Sequence, residues 1–322
     1  MSLKGARDIT TRISQYIAQI EYYDYLDLAE IIVSDIVEYF SKSNPRNLEN
    51  RYARIAVACR QASFLGPVCS ICLLIRKFTE IMRGRSKEEF KKWLETFSSV
   101  TARFFTLSDR TFSQISSRLV ENLPHDSVIV VMSHTHTVAR IIGSLRYKIY
   151  KVYVSKKYPL NAGVTIAKEI RAHGVNVSYI PDEYLAWAIE QADMILGFAL
   201  GTTTTARIVT ETGLLGALAT GEMLGVDTII IAPLNFMCGC DEEDIRKKMP
   251  GFVVSNEITG VKLKLRSLDL IDPDSFRVKL VNENEVIDAS RELIIQRQKQ
   301  LDSVINDTIN YISRERGLVS WG

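Results

Sequence analysis

The sequence lacks the features that mark membrane and secreted proteins. No apolar run approaches the roughly 20 residues that a membrane-spanning helix needs. The N-terminus has early charges and helical periodicity in place of the apolar core of a signal peptide. The composition, 46% hydrophobic and 24% charged, is typical of a globular chain long enough for one large domain or two ordinary ones. We therefore expect a cytoplasmic protein with no membrane contact.

Cysteine is scarce, and its five copies are an odd number that does not suggest a disulfide framework. Cys69, Cys72, Cys238 and Cys240 could supply four thiolates to zinc. However, the first pair lies in an apolar stretch, and a Cys-x-Cys pair is not the usual zinc knuckle. We expect reduced, buried thiols and no metal.

Neither sign of charge is in excess, since 40 Lys and Arg residues face 38 Asp and Glu residues. Local basic clusters such as residues 246–248 are typical of solvated surface. The charge balance therefore predicts no nucleic-acid partner.

Several catalytic and cofactor motifs are also missing. The chain has no G-x-G-x-x-G, no phosphate-binding loop with a lysine, and no evident Ser-His-Asp or Cys-His set. His134 and His136 could bind a metal from an extended segment, but no Asp, Glu or Cys follows them within ten residues. The residues therefore predict no cofactor and no catalytic constellation.

The stretch from residue 126 to residue 236 contains short apolar segments, each followed by a polar loop and a helical pattern. The segments are 128–132, 151–154, 176–180, 193–197 and 227–236. Strands that are apolar on consecutive positions are buried on both faces, as in a parallel sheet covered by helices. The alternation predicts a doubly wound sheet with ligands at the loops that follow the strands.

Residues 1 to about 120 show helical periodicity and almost no strand signal, and Ser86 with Glu89 fits a capping box. The end of the chain predicts one long amphipathic helix from Asp288 to about Arg314, capped by Asp288 or Ser290. The predicted fold is thus an all-helical domain over residues 1–121 and a Rossmann-like α/β domain over residues 122–322.

The predicted loops after the strands hold candidate anion-binding groups. Ser133, His134, Thr135 and His136 follow the first strand and offer hydroxyls and backbone N–H groups to an anion. Lys156, Lys157 and Tyr158 follow the second strand, where they either face a phosphate or form exposed surface.

Two further loops carry alternatives. Thr202, Thr203, Thr204 and Thr205 are predicted at a strand-to-helix turn, where they either cradle a phosphate or cap the following helix. Asp182 either binds a sugar hydroxyl or caps a helix, and capping is the preferred interpretation.

The order of these loops resembles a known family. It contains the alpha, beta and delta subunits of eukaryotic translation initiation factor 2B, ribose-1,5-bisphosphate isomerase and methylthioribose-1-phosphate isomerase. VVMSHTHTVARII (130–142) resembles the family's first strand and helix start. VYVSKKYPLNAG (152–163), with Gly163 in place, resembles its Glu-Ser-Arg-Pro-x-x-x-Gly segment. Lys4 and Gly5 stand where the isomerases have Arg-Gly-Ala.

The departures from the isomerase pattern imply a lost activity. The catalytic cysteine and aspartate of the isomerases correspond to Thr135 and Leu200, and neither side chain can replace a thiol of pKa about 8.5 or a carboxylate. The phosphate-binding arginine corresponds to Tyr158, and a lysine position becomes Glu211.

The resemblance therefore implies a non-catalytic, regulatory and protein-binding homologue that retains at most a sugar-phosphate or nucleotide pocket. It implies a homo- or hetero-oligomer formed through the α/β domain, with initiation factor 2 or paralogous subunits as partners. The alternative is a sugar-phosphate isomerase whose catalytic groups have moved to His134, His136 or Glu211.

Overall fold

The computed structural model describes residues 8–18, 25–42, 46–83, 86, 88–92, 94–95, 97, 101, 109–157, 161–248, 251–255, 262–266 and 268–315. Helices account for the first part of the chain, as the periodicity predicts. These are α1 (Ile9–Ala18), α2 (Tyr25–Ser41), α3 (Leu48–Gln61), α4 (Gly66–Met82) and α5 (Asp109–Asn122). The capping box is confirmed, because Ser86 N donates to Glu89 Oε2 (2.9 Å) and Glu89 N donates to Ser86 Oγ (3.3 Å).

From Ser127 onward strands and helices alternate. The strands are β1 (Ser127–Val131), β2 (Ile149–Ser155), β3 (Val177–Ile180), β4 (Met194–Thr203), β5 (Ile208–Glu211) and β6 (Asp227–Ile231). The helices between them are α6 (His136–Ser144), α7 (Ala162–Ala172), α8 (Leu185–Glu190) and α9 (Leu214–Leu224).

The rest of the chain adds short strands and two helices. These are β7 (Gly239–Cys240), α10 (Glu242–Lys248), β8 (Gly251–Ser255), β9 (Lys262–Arg266), β10 (Leu268–Ile271), β11 (Val278–Val281), β12 (Val286–Asp288) and α11 (Arg291–Glu315). Ser290 is the residue that caps α11, because its Oγ accepts from Leu293 N (3.1 Å). None of the helices in the described part of the chain is both long enough and apolar enough to span a membrane.

The main sheet is doubly wound, as predicted. Its order is β12-β11-β6-β4-β1-β2-β3, and all neighbours from β11 to β3 are parallel. The chain first winds from β1 toward β3 and then resumes on the other side of β1 with β4. The carboxyl ends of β1 and β4 therefore form the switch point, where open α/β sheets bind their ligands.

Apolar residues cover both faces of this sheet. One core cluster extends from Ile9 in α1 through the helices and one sheet face to Ile309 in α11. A second cluster lies on the opposite face between the sheet, α8, α9 and the start of α11. The N-terminal helices and the sheet thus share one core, which fixes the helices against the sheet.

The structure departs from the prediction after residue 197. β4 continues to Thr203 and pairs in antiparallel fashion with β5, so that Ala199 lies opposite Thr210 and Thr202 opposite Ile208. The helix predicted to follow the threonine tract begins later than expected, because residues 208–211 form β5 and α9 begins only at Leu214. The β-branched run of Ile208, Val209 and Thr210 favours a strand.

Candidate functional site

A cluster of buried polar side chains lies at the switch point of the sheet. Ser133 and His134 lie two and three residues after the end of β1, and Lys157 lies two residues after the end of β2. Glu211 is the last residue of β5. Because β5 runs antiparallel to the extended β4, it brings Glu211 back to the carboxyl edge of the main sheet. We call Ser133, His134, Lys157 and Glu211 the Glu211 cluster.

The carboxylate of Glu211 is saturated with donors. Ser133 Oγ (3.2 Å) and His134 N (3.1 Å) donate to Oε1. On Oε2, His134 Nδ1 lies 3.2 Å away and Lys157 Nζ forms an ion pair. The side chain of Glu211 is only 1% exposed and that of Lys157 13% exposed, so the pair is shielded from water. A buried carboxylate with this set of donors is held in place rather than offered to a substrate.

His134 is enclosed within the same cluster. Its Nδ1 faces Glu211 and its Nε2 faces the Ser155 carbonyl oxygen at 3.2 Å. Burial and then the charge of Lys157 lower the pKa of His134 to about 3, against the smaller opposing effects of the Ser155 carbonyl oxygen and the charge of Asp182. The neutral ring carries one N–H, which serves one of the two oxygens. The ring is therefore a poor proton donor at neutral pH.

Lys157 is positioned by its backbone as well as by its ion pair. The residue has a φ of 56°, in the left-handed region. Its N–H donates to Asp182 Oδ1 at 2.8 Å. Asp182 thus orients the lysine loop. The helix-capping role that we preferred for it is wrong, because Tyr184 is the N-cap residue of α8 and no side chain caps that helix.

The N-terminus of α9 opens near this edge and already holds an anion. Asp269 Oδ2 accepts from Gly213 N (2.8 Å) and Leu215 N (3.0 Å). Burial raises the pKa of Asp269, while these two backbone N–H groups and then Lys157 oppose the rise. The carboxyl group occupies the place that a phosphate takes at many helix N-termini. Sequence reasoning missed Asp269, because it lies 56 residues beyond Gly213.

The threonine tract does not form the strand-to-helix turn that we predicted. Thr202 and Thr203 end β4 and are fully buried, and Thr204 with Thr205 begins the hairpin turn. Thr202 Oγ1 donates to Cys238 O (3.1 Å) and accepts from Gln298 Nε2 (3.0 Å). Thr203 Oγ1 contacts Thr205 Oγ1 (2.8 Å) and accepts from Arg207 N (3.0 Å), and Thr205 Oγ1 donates to Glu242 Oε2. The tract therefore caps no helix, and its hydroxyls are used within the hairpin and in contacts with the C-terminal segments.

The other predicted residues have separate roles. Thr135 caps α6 by accepting from Val138 N at 3.3 Å. His136 is half exposed and its Nδ1 contacts Glu169 on α7, away from the Glu211 cluster. At Gly163 a Cβ would lie 1.8 Å from Ser155 O, so only glycine fits beneath the end of β2. Lys4, Gly5 and Tyr158 lie outside the described residues.

The cysteines also differ from our expectation of reduced thiols. Cys59 and Cys72 form one disulfide, Cys69 and Cys238 form a second, and Cys240 is a buried free thiol. Cys72 is joined to Cys59, so the four thiolates considered for zinc do not converge. The sulfur atoms of Cys69, Cys238 and Cys240 lie within 4.8 Å of one another.

A comparison with family profiles identifies one family. The sequence profile of the Initiation factor 2 subunit family matches residues 48–238. No curated protein sequence matches the chain.

Solved structures share the fold at low sequence identity. A translation initiation factor eIF-2B from Pyrococcus horikoshii OT3 is 13% identical with a TM-score of 0.68, over 87% of this chain and 98% of that one. A chain of the tetrameric eIF2B-beta2-delta2 complex from C. thermophilum is 14% identical with a TM-score of 0.65. The match covers 92% of this chain and 96% of that one. The 5-methylthioribose 1-phosphate isomerase from Pyrococcus horikoshii OT3 is 13% identical with a TM-score of 0.59. The match covers 92% of this chain and 88% of that one.

Proposed function

The chain belongs to the Initiation factor 2 subunit family, and we propose that it is a non-catalytic, regulatory and protein-binding member. The observation that carries this proposal is the closed state of the Glu211 cluster. The Glu211 carboxylate at the switch point forms an ion pair with Lys157. It also makes three further contacts, with Ser133 Oγ, with the backbone N–H of His134 and with Nδ1 of the His134 ring.

The two positions at which the isomerases have acid and base support the same proposal. Thr135 uses its hydroxyl to cap α6. Leu200 lies within β4, and its side chain is fully buried in the core. A general acid or base must reach the substrate with a proton that it can release or accept, and neither residue meets this requirement.

Phosphorus NMR tests the proposal directly. The purified protein is incubated separately with ribose 1,5-bisphosphate and with 5-methylthioribose 1-phosphate, long enough to reveal slow turnover. We expect no product resonance. Line broadening without conversion is the expected sign of a retained pocket, whereas product resonances that grow with time would refute the non-catalytic function.

The second candidate is a sugar-phosphate isomerase with relocated groups. The specific observation in its favour is the contact of 3.2 Å between His134 Nδ1 and Glu211 Oε2, the geometry of a base held by an orienting carboxylate. If turnover is seen, Glu211→Gln should abolish it, and Glu169→Gln, which alters the exposed His136 contact, should leave it intact. Equal turnover in both variants would assign the activity to a contaminant or to another site.

We further propose that the protein associates with a second copy of itself through α9. This helix has no continuous polar face, because Thr220 and Glu222 are its only polar side chains. Leu215, Met223 and Leu224 are exposed, Met223 to 88%. A helix that is apolar all round is normally buried, and the similar C. thermophilum chains are part of a tetrameric complex.

Analytical ultracentrifugation checks this surface. Met223→Glu should shift the protein toward monomer, because it would bury a charge in the interface. Tyr147→Glu is the matched control, since Tyr147 is 63% exposed and lies outside α9. An unchanged association state in Met223→Glu would exclude the α9 surface, and a pull-down with initiation factor 2 would then test the hetero-partner that family membership suggests.

A further inference from the structure

The N-terminus of α4 forms a tight joint with the carboxyl edge of the sheet. A Cβ on Gly66 would lie 2.5 Å from the Phe236 carbonyl oxygen, so the two backbones are in direct contact. Ser70 Oγ donates to Asn235 O at 3.0 Å. On the strand side, a Cβ on Gly201 would lie 2.8 Å from the Phe64 carbonyl oxygen. The helical part of the chain is thus seated on β4 and on the segment after β6.

One disulfide crosses this joint and the other does not. Cys69, on the first turn of α4, is bonded to Cys238, which follows Phe236. These residues are 169 positions apart in sequence with a Cα–Cα distance of 5.9 Å. Cys59 and Cys72 are only 13 positions apart and join α3 to α4 within the helical part. Only the first bond therefore connects the helices to the sheet.

We propose that the Cys69–Cys238 bond is a reversible, redox-controlled lock between α4 and the sheet edge. A dithiol reductant opens it: the sulfur–sulfur bond breaks, Cys69 and Cys238 each gain a thiol hydrogen, and the reductant becomes a disulfide. A small-molecule disulfide such as oxidised glutathione closes it again by the reverse exchange. Where disulfides occur in cytosolic proteins of mesophiles, they are usually transient bonds with a catalytic or redox-sensing role.

The surroundings of the three sulfur atoms define how the exchange proceeds. Cys238 and Cys240 are 6% and 4% exposed, and Cys69 is more accessible. An external thiolate therefore attacks at Cys69. Burial, and next the charge of Asp241, raise the pKa of Cys240 far above its usual value, which keeps it a thiol. Because thiolates rather than thiols attack disulfides, the bond stays between Cys69 and Cys238 and does not move to Cys240.

The lock is coupled to the strand that supports the candidate site. The carbonyl oxygen of Cys238 accepts from Thr202 Oγ1 at 3.1 Å. Thr202 lies in β4 opposite Ile208 of β5, and β5 ends at Glu211. Opening the bond releases the segment that braces this hairpin. The expected consequence is faster amide exchange in the first turn of α4 and in residues 234–240.

Two double variants isolate the lock. Cys59→Ser with Cys72→Ser leaves only the bond across the joint, and Cys69→Ser with Cys238→Ser leaves only the short one. Each protein is treated with oxidised glutathione or with a dithiol, and its melting temperature is measured. A bond that closes 169 residues restricts the unfolded chain more than one that closes 13. In the first variant we expect reduction to lower the melting temperature by about 10 °C, and in the second variant by clearly less.

Peptide mapping of the wild-type protein provides a readout that does not depend on the variants. The oxidised protein is alkylated, unfolded, alkylated with a second reagent and digested without reductant. We expect a cross-linked peptide that joins Cys69 to Cys238, with Cys240 alkylated only after unfolding. Alkylation of Cys69 and Cys238 in the oxidised protein would overturn the proposal. So would equal melting shifts in the two variants, or a stoichiometric zinc ion held by the three thiols.

Discussion

Variants that break the ion pair between Lys157 and Glu211 test whether Glu211 has a structural or a catalytic role. The side chains are 13% and 1% exposed, so water can do little to replace a lost partner. Two unit charges about 4 Å apart interact by about 4 kcal/mol at an effective dielectric constant of about 20. Removal of one member of a buried pair typically costs about 3–5 kcal/mol, because the other charge is left uncompensated.

We therefore expect Glu211→Gln to lower the free energy of unfolding by about 3 kcal/mol, and Lys157→Met by a similar amount. The double variant contains no unpaired charge. Its loss should be about as large as either single loss, which gives a coupling energy of about 3 kcal/mol in a double-mutant cycle. Urea denaturation monitored by circular dichroism measures all four proteins.

A matched control comes from an exposed pair. Lys279 Nζ lies 2.9 Å from Asp227 Oδ2, with side chains 43% and 55% exposed. Lys279→Met should cost less than about 1 kcal/mol. Additive losses in the Lys157 and Glu211 cycle, or a Glu211→Gln variant as stable as the wild type, would refute the reasoning. The second result would indicate a residue kept for chemistry rather than for the fold.

Three further outcomes follow from the structure. The pKa of His134 is about 3 in the folded protein and about 6.5 in the unfolded chain. As the pH is lowered below 6.5, the unfolded chain therefore binds the proton first, and the free energy of unfolding decreases. The loss from pH 7 to pH 5 should be about 2 kcal/mol greater in the wild type than in His134→Gln when urea denaturation is compared at both pH values. Gly163→Ala should lose about 3 kcal/mol or more in thermal denaturation, because the added Cβ would lie 1.8 Å from the backbone oxygen of Ser155; a normal melting temperature would contradict this packing. Ser86→Ala should cost about 1 kcal/mol in the same assay by removing half of the capping box with Glu89, and no loss would mean that solvent replaces the cap.

The doubly wound fold could be predicted because its signals are local. Consecutive apolar residues in β1 and β6 mark strands covered on both faces. Three- and four-residue spacing marks the helices that precede them. The hairpin of β4 and β5 was missed for a different reason. Gly201 and the threonines after it are typical of a loop, whereas the strand continues through them and turns back.

The candidate site was predicted only in part, because its bonds join distant segments. Glu211 and Lys157 were both named as site residues, but they are 54 positions apart and no local pattern pairs them. The same holds for Asp269 at the start of α9 and for the cysteine pair that is 169 positions apart. The contact between Glu211 and Lys157 depends on how β5 pairs with β4. No short stretch of the sequence specifies that pairing.

The charges at the switch point also decide which ligands the edge can accept. A phosphate there would meet the carboxylate of Glu211, and the N-terminus of α9 is already occupied by Asp269. To bind the phosphate, Lys157 would have to leave Glu211 buried and unpaired, at a cost of about 3–5 kcal/mol. Since every 1.4 kcal/mol is about a tenfold change in affinity, this cost weakens binding by more than about a hundredfold. Selection for a sugar-phosphate reaction would oppose such an arrangement, whereas a protein that works through its surfaces tolerates it.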